Sequence, residues 1–251
     1  MSTITEGTAQ YGLRLAASAD DLRAAQRLRF TVFNLELGEG LQSSATTGLD
    51  ADEFDPVCEH LLVCERATGL VVGTYRLQTG TVAAGSGLGY YSEREFDFTP
   101  FESARSQLVE LGRACVAPDH RNQSVLGLLW RGIALYAQER GARYLVGCSS
   151  LTSQSPAEGL AAYGQLAKRN LAPETWRTHP MPAWRCEASP EDVAECAAIG
   201  VKIPRLMMAY LAAGASICGE PAIDREFKTI DFLTLMDLQA LPARVLRKFM
   251  S

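Results

Sequence analysis

The sequence has little histidine and no closely paired cysteines. Its three histidines, His60, His120 and His179, lie far apart and lack the spacing of metal ligands. The seven cysteines are odd in number, scattered, and never arranged as Cys-x-x-Cys. Cys115 and Cys148 fall in apolar runs, which favours small core residues. We therefore expect no metal site and, since the N-terminus lacks a basic-then-apolar signal, a reducing cytoplasm.

Long basic runs and long apolar runs are also missing. The net charge is −5, and no dense cluster of Lys and Arg is present to neutralise phosphates, which argues against nucleic-acid binding. The longest nearly apolar stretch, residues 206–218, is far shorter than the roughly 20 residues of a membrane-spanning helix. The closing ARVLRKFM predicts a final amphipathic helix lying on the domain. A peripheral contact with the inner membrane surface is the alternative.

What is present is enough apolar sequence for a substantial core. Apolar residues make up 47% of the 251 residues, and helical and strand-like periodicities alternate along the chain without a repeat or a low-complexity linker. We expect a single mixed α/β domain over residues 1–251, with 1–17 as a candidate mobile N-terminus. The predicted helices are 19–37, 124–140, 155–169 and 204–214, the predicted strands are 60–66, 70–79, 107–116, 142–151, 215–220 and 226–237, and the predicted irregular segments are 38–55, 83–97 and 173–190.

The strand ELGRACV carries an acid and a base three residues apart. Glu110, near the start of a buried strand, is suited to bind an ammonium group and accept its proton. The nearby Arg113 would influence the pKa of that carboxyl group. Strand alternation puts the two residues on opposite faces unless a bulge intervenes. A structural ion pair between them is the alternative.

Five stretches can be taken together: LRFTVFNLELG (28–38), LDADEFD (49–55), VVGTYRL (71–77), ELGRACVAPDHR (110–121) and ICGEPAIDREFKTIDFLTLMDLQALP (217–242). As a set they resemble the acyl-carrier-protein-dependent branch of the GCN5-related N-acyltransferase (GNAT) superfamily. That branch contains ornithine-lipid and glycine-lipid N-acyltransferases, N-acyl amino acid synthases and, more distantly, the acyl-homoserine-lactone autoinducer synthases. The resemblance covers most of the chain and implies a GNAT-like fold, with a central twisted mixed sheet, helices on both faces and a splayed strand pair.

The resemblance also implies a reaction centre on one strand. It implies a bulge near residues 113–115, with Glu110 and Arg113 as catalytic residues. The backbone N–H groups of Cys115 and Val116 would then bind the pantetheine arm and polarise the thioester carbonyl. Tyr163 resembles the tyrosine that protonates the leaving thiolate in many members, although a core position is the alternative for a tyrosine on an apolar helix face.

A second implied set would hold the amino-acid substrate. These residues fall where the autoinducer synthases carry their motif: Arg29, Phe33, Asp52, Asp55 and Arg76. The two guanidinium groups match the geometry of a substrate carboxylate. The two aspartates would tie the long loop to those arginines, and turn formation in a solvated loop is the alternative.

The loop after the ELGRACV strand bears on the acyl donor. Superfamily members that use coenzyme A carry Arg or Gln, two residues, Gly, one residue, and Gly or Ala, and the loop's N–H groups hold the pyrophosphate. From Arg121 this sequence reads Arg-Asn-Gln-Ser-Val-Leu, with Ser124 and Leu126 at the small positions. The departure favours a donor on the 4'-phosphopantetheine of acyl carrier protein, whose single phosphate Arg121 and Ser124 would meet, over coenzyme A. A basic docking patch for that acidic partner would comprise Arg121, Arg131, Arg140, Arg143, Lys168 and Arg169.

These features together predict a cytoplasmic enzyme. It would move a long-chain fatty acyl group, with or without a 3-hydroxyl, from acyl carrier protein to the α-amine of an amino acid, without a bound cofactor. An autoinducer synthase is the alternative enzyme, although those proteins tend to carry a tryptophan just after the first helix, where this chain has LELGEG. A non-catalytic acyl-binding protein on the same fold is the other alternative. The sequence does not identify the amino acid.

Overall fold

A computed structural model describes residues 4–241 of the protein. The strands of that range are β1 (Thr5–Gly7), β2 (Tyr11–Leu15), β3 (Glu59–Glu65), β4 (Val71–Thr79), β5 (Leu108–Val116), β6 (Tyr144–Leu151), β7 (Ser216–Ile217), β8 (Ala222–Asp224) and β9 (Thr229–Asp237). These nine described strands form one sheet in the order β1-β2-β3-β4-β5-β6-β9-β7, with β8 paired to β9. The predicted mixed α/β sheet is therefore confirmed.

Helices cover both faces of this sheet. They are α1 (Ala19–Phe30), α2 (Ser44–Thr47), α3 (Gly80–Ser86), α4 (Gln123–Glu139), α5 (Pro156–Asn170), α6 (Pro190–Ile199) and α7 (Arg205–Ala213). Consecutive residues of β4 point to opposite faces, and they show which helix covers which face. Tyr75 packs in the core cluster that includes Leu129 of α4, whereas Arg76 reaches Asp55, which pairs with Arg29 of α1.

Capping residues explain where the two principal helices begin. Ser18 accepts a hydrogen bond from the N–H of Asp21 at the start of α1, and Asn122 accepts one from Val125 at the start of α4. After Phe30, α1 continues as a wider π-helical segment, Thr31–Leu37, and ends at Gly38, whose φ is +70°. The predicted helix 19–37 thus exists as one continuous rod with a change of pitch.

The strands β5 and β6 are parallel, and they part halfway along their length. They pair only over Leu108–Glu110 and Tyr144–Val146. Beyond this point, the backbone of Gly147 passes so close to Leu111 that an added Cβ would lie 2.2 Å from the Leu111 carbonyl oxygen. The predicted splayed strand pair therefore begins where the backbones of Gly147 and Leu111 come into close contact. This contact leaves room only for glycine at position 147.

The N-terminal segment contains two strands, β1 and β2, that the sequence analysis does not predict. Within the candidate mobile segment 1–17, β2 pairs along its whole length with β3. Tyr11 and Leu13 of β2 are buried because one face of this strand covers the core. Two polar residues, Arg14 and Asp21, then connect β2 to the first turn of α1 by a salt bridge of 2.6 Å.

Three of the described helices were not predicted from the sequence. Helix α2 is a single turn within the predicted irregular segment 38–55. Helix α3 begins before the predicted irregular segment 83–97, and its composition of Gly, Thr and Ala has little helical signal. Helix α6 has a clear start signal, since Ser189 accepts a hydrogen bond from Asp192 and Pro190 occupies the first turn. The predicted amphipathic segment 243–250, with its alternative membrane contact, lies outside the described residues.

Candidate active site

A cavity of about 320 Å³ occupies the gap between β5 and β6. It passes from one face of the sheet to the other, and the two sides differ in chemistry. Its polar side includes Glu39, Arg76, Ser92, Glu110, Arg113 and Asp231. Its apolar side includes Tyr75, Trp130, Leu145, Met207, Tyr210 and Met236. A molecule with a charged head and an apolar chain matches this division.

A β-bulge at Arg113 and Ala114 shapes the wall of the cavity. The register of β4 against β5 shifts between Thr74 and Arg76, so that the two residues of β5 lie opposite Tyr75 alone. Arg113 has a φ of +50°, which places it in the left-handed region. The bulge resolves the alternation problem, since Glu110 and Arg113 both line the cavity.

Glu110 is held by donors from the loop before it. Its Oε1 accepts hydrogen bonds from the backbone N–H and the hydroxyl of Ser92, at 2.8 and 2.5 Å, and its Oε2 accepts one from the N–H of Tyr91 at 2.8 Å. Burial raises the pKa of Glu110, and these hydrogen bonds and the charge of Arg76 offset part of that rise. Oε2 keeps a lone pair for a further donor.

The alternative ion pair between Glu110 and Arg113 is not among the salt bridges of residues 4–241. Arg113 instead donates to Asp52 at 2.9 Å, and its guanidinium lies over the rings of Tyr91 and Phe227. The two residues therefore share a cavity without sharing a proton or a direct charge contact, so each keeps surface available to a bound molecule.

A buried network of ion pairs lies beneath the polar side. Arg29 donates to both oxygens of Asp55, at 3.0 and 2.7 Å. Arg76 donates to Asp52 at 2.5 Å and to Asp55 at 3.0 Å. Burial alone would raise the pKa values of Asp52 and Asp55, but the neighbouring arginines hold both below the ordinary aspartate value. The loop 50–55 is thereby fixed to α1, β4 and β5.

This network separates the predicted substrate-binding residues into two groups. Arg76 and Phe33 line the cavity, and the ring of Phe33 packs edge-on against Phe227. Arg29 is fully buried and, like Asp55, is outside the lining of the cavity. The geometry gives these two a supporting position, because the guanidinium of Arg29 already contacts Asp50 and Asp55.

The two predicted pantetheine-binding positions also differ. Just beyond β5, the N–H of Ala117 donates to Val72 O at 2.8 Å. Because hydrogen-bonded and open pairs alternate in an antiparallel ladder, the paired residues Cys115 and Thr74 form the next bonded pair. The N–H of Val116 then points away from β4, toward the edge of β5 where β6 no longer pairs. The thiol of Cys115 lies in an apolar cluster with Leu28 and Val32 and others.

The predicted donor loop is partly occupied by internal contacts. Arg121 forms a two-armed salt bridge with Glu36, both contacts being 2.6 Å, and also donates to Val116 O. Ser124 is exposed in the first turn of α4. Three further arginines of the predicted basic patch face carboxylates as well, in the pairs Arg131–Glu6, Arg140–Glu59 and Arg143–Asp237.

Tyr163 lies away from the cavity. It is half-buried on α5 and packs against the core cluster of Leu166, Ile217 and Ile230. Two other tyrosines line the cavity, Tyr75 and Tyr210, and their hydroxyl groups are hydrogen-bonded to each other. Burial raises the pKa of Tyr75 to about 12. The structure therefore offers Tyr75 where the sequence suggested Tyr163.

Several polar residues of the site were not found from the sequence. Tyr91 and Ser92 hold Glu110 through their backbone N–H groups, which leave no sequence signal, and Ser92 also uses its hydroxyl. Cys148 was assigned to the core, but it is half-buried and lines the cavity. Asp231 lies within the apolar strand TIDFLTLMD, and a lone acid at a buried strand position was a signal that could have been used.

The comparisons with known proteins agree with this geometry. Residues 28–131 match the family described as the acetyltransferase (GNAT) domain. The chain is 35% identical to the L-ornithine Nα-acyltransferase of Rhodobacter capsulatus over 237 residues, which are 92% of this chain and 91% of that protein. It is 32% identical to the protein of that name from Brucella abortus, covering 92% of this chain and 86% of the relative.

Solved structures agree at the level of the fold. The acyl-homoserine-lactone (AHL) synthase LasI aligns over 95% of each chain with a TM-score of 0.54 and 12% identity. FeeM, an N-acyl amino acid synthase from uncultured soil microbes, aligns over 92% of this chain and 94% of its own with a TM-score of 0.53 and 12% identity.

The matched domain and the named relatives identify the chain as an acyltransferase of the GNAT type. Sequence identities above 30% over nearly the whole chain identify the family within this class. The chain belongs to the family of the L-ornithine Nα-acyltransferases. Family membership supports the N-acylation of an amino acid. Within residues 4–241, no helix has both the length and the apolar character needed to cross a bilayer.

Proposed function

We propose that the protein transfers a long-chain fatty acyl group, with or without a 3-hydroxyl, from the thioester of acyl carrier protein to the α-amine of an amino acid. The observation that carries the proposal is the cavity between β5 and β6, which joins the carboxyl group of Glu110 to a wall of apolar side chains. The names of the relatives make L-ornithine the first acceptor to test.

In this proposal Glu110 binds the α-ammonium and takes its proton, directly or through a water molecule. The raised pKa of the buried carboxyl supports that role, because a base closer to neutrality accepts a proton more readily. The amine nitrogen then attacks the thioester carbonyl, the C–N bond forms, and the C–S bond breaks. The thiolate leaves and takes up a proton, for which the Tyr75 hydroxyl is the candidate donor.

Two further parts of the cavity fit this reaction. The N–H of Val116, on the open side of β5, is suited to the carbonyl oxygen as negative charge develops on it. Arg76 and Arg113 are suited to the substrate carboxylate, since both line the polar side. Asp52 lies between the two guanidinium groups and fixes both. The apolar side then receives the acyl chain.

The donor assignment depends on the loop at Arg121–Gly127. Its serine and leucine make a poor pyrophosphate cradle, which supports acyl carrier protein over coenzyme A. Arg121 would release Glu36 and bind the single phosphate of phosphopantetheine. Since Arg131, Arg140 and Arg143 of the basic patch are paired with carboxylates, docking of the carrier protein would break surface ion pairs, which cost little to open.

A thiol-release assay with matched donors tests the function. The purified protein is mixed with a 3-hydroxyacyl or unsubstituted long-chain acyl group on acyl carrier protein, and the same group on coenzyme A, together with single amino acids. We expect release of thiol with the carrier protein and L-ornithine, and a much lower kcat/KM with coenzyme A. Equal rates with both donors would refute the donor assignment.

Two results would overturn the function itself. Turnover only with S-adenosylmethionine, giving a lactone, would identify an autoinducer synthase. Tight binding of acyl carrier protein without thiol release from any acceptor would identify a non-catalytic acyl-binding protein.

A further inference from the structure

Two acidic side chains lie side by side at the base of the polar side of the cavity. Asp231 lines the cavity, and Glu95 lies behind it beside Cys148. A ligating atom of each of these three residues lies within 4.8 Å of the others. Glu95 is completely buried and Asp231 is 4% exposed. Charged groups are rarely buried so deeply without a partner of opposite charge, so we expect a positively charged group to bind this pair.

The two acids interact with each other, and Asp231 also interacts with Ser150 and Thr229, but no cationic side chain of the described residues is paired with them. Glu95 Oε1 and Asp231 Oδ1 are buried oxygens without a hydrogen-bond partner. None of the salt bridges within residues 4–241 includes either side chain. Arg113 is near enough to affect Glu95 electrostatically, but its guanidinium is already paired with Asp50 and Asp52.

Asp224, the third acid nearby, has hydrogen-bond partners for both of its carboxylate oxygens. Its Oδ1 accepts hydrogen bonds from the N–H groups of Glu226 and Phe227, at 2.9 and 2.8 Å, and its Oδ2 accepts one from Tyr91. It has the contacts of a turn-forming residue. The open oxygens of Glu95 and Asp231 thus contrast with the satisfied oxygens of Asp224. Asp50 and Glu93 also have buried oxygens without a hydrogen-bond partner, but each of them forms a salt bridge with an arginine, which Glu95 and Asp231 do not within the described part of the chain.

The pair is close to the proposed base. The hydroxyl of Ser92 donates to Glu110 at 2.5 Å, the thiol of Cys148 lies 3.5 Å from that hydroxyl, and the same thiol lies 3.8 Å from Glu95. Three consecutive contacts thus join the two acidic positions along the cavity. In a diamino acid with a five-carbon chain, the two nitrogens lie roughly 6 Å apart when extended, from ordinary bond lengths. One such molecule can place an ammonium at each position.

We propose that Glu95 and Asp231 bind the side-chain ammonium of a diamino-acid acceptor and thereby select it over neutral amino acids. The assignment deepens the proposed function and rests on it, because the α-amine must occupy the position at Glu110. An ammonium between two carboxylates satisfies the open oxygens and balances their charge. It also leaves the α-amine as the nitrogen that faces the thioester, which explains how one of two similar amines is acylated.

The protonation of the empty pair supports this assignment. Burial and the charges of Asp231 and Asp224 raise the pKa of Glu95 well above its ordinary value. Burial raises the pKa of Asp231 to about 6, with the charge of Asp224 acting in the same direction. The empty pair therefore holds a proton near neutral pH. Arrival of an ammonium would favour ionised carboxylates and release protons to the solvent.

The test compares L-ornithine with L-norvaline, which has the same carbon chain but no side-chain amine. Each is assayed with acyl carrier protein donor on the wild type, on Asp231→Asn, on Glu95→Gln and on Glu187→Gln, an exposed carboxylate that serves as the control. We expect the wild type and the control to prefer ornithine by about 10⁴-fold in kcat/KM, because a site built for a polar group rejects an analogue without it. The two site variants should lose most of this preference, because the rate with ornithine falls much more than the rate with norvaline.

A binding measurement distinguishes failure of this proposal from failure of the function. Calorimetric titration of L-ornithine in buffers of different ionisation enthalpy should show proton release with the wild type and much less with Asp231→Asn. If ornithine is acylated but both variants lower the rates with ornithine and norvaline equally, the acid-pair assignment is wrong and the function stands. If no amino acid is acylated by the wild type, the function fails. Binding of a divalent cation, abolished by the same variants while ornithine binding is unchanged, would also overturn the assignment.

Discussion

Arg29 and Asp55 form a two-armed ion pair that is closed to solvent, with contacts of 3.0 and 2.7 Å. The pair joins α1 to the loop 50–55, and Asp55 extends the connection to Arg76 on β4. Both residues occur in a sequence motif that suggests substrate binding, yet both lie outside the lining of the cavity. Their geometry predicts a role in holding Arg76 in place.

Replacement of Arg29 should therefore act on stability. We expect Arg29→Ala to lower the free energy of unfolding by about 3–5 kcal/mol, because it leaves buried carboxylates without a partner. Arg23→Ala, at an exposed position of the same helix, should change it by less than about 0.5 kcal/mol. Chemical denaturation measures both values. A stable Arg29→Ala protein with a raised KM for the amino acid would show instead that Arg29 contacts substrate.

The close contact between the backbones of Gly147 and Leu111 should leave no room for a side chain at position 147. Gly147→Ala would place a Cβ 2.2 Å from a backbone oxygen, which should cost about 1–3 kcal/mol of stability or more and displace β6 from β5. The matched control is Gly164→Ala on the exposed face of α5, where an added Cβ meets nothing within 4 Å. That change should stabilise the protein by up to about 1 kcal/mol. Thermal unfolding of the two variants checks the difference, and similar melting temperatures would contradict the geometry.

Glu110 should control the rate through its protonation state. Because burial raises its pKa, the wild-type kcat/KM should rise with pH through a value above the ordinary glutamate pKa. Glu110→Gln should lower kcat by about 10²–10⁴-fold and remove this acidic limb of the pH profile. A variant that keeps the limb, even at a reduced rate, would show that another group is the base.

The acid pair should make stability depend on pH in a defined direction. The folded-state pKa of Asp231, about 6, lies above the ordinary value of 3.8. The contribution of Asp231 to the free energy of unfolding is therefore greatest below about pH 4 and is lost as the pH rises through 6. Asp231→Asn removes this loss of stability. We expect its melting temperature to match the wild type near pH 4 and to exceed it above pH 7. A variant that is equally destabilised at both pH values would contradict the raised pKa.

Local patterns in the sequence predicted most of the elements that form the site. The apolar face of α4 and the buried run at 142–151 each have a clear periodicity, and their bounds agree with the structure within a few residues. The bulge beside Glu110 followed only from the resemblance, since nothing in ELGRACV requires Arg113 to adopt a positive φ.

The acid pair shows what the sequence could not supply. Glu95 and Asp231 are 136 positions apart along the printed chain, and they meet because β9 pairs with β6 while the loop before β5 folds over that strand. Cys148, between them, has the same apolar neighbours as a core cysteine. Contacts of this kind depend on sheet order, which one sequence without relatives does not contain.

The central claim is that Glu110 promotes the transfer of an acyl group to an amino-acid α-amine. The most direct measurement is mass spectrometry of lipids from cells that overproduce the wild type or Glu110→Ala, with fragmentation to locate the acylated nitrogen. We expect an Nα-acylated amino acid, with ornithine as its head group, to accumulate with the wild type and to fall to background with the variant. Absence of any N-acyl amino acid, or equal amounts from both proteins, would contradict the account.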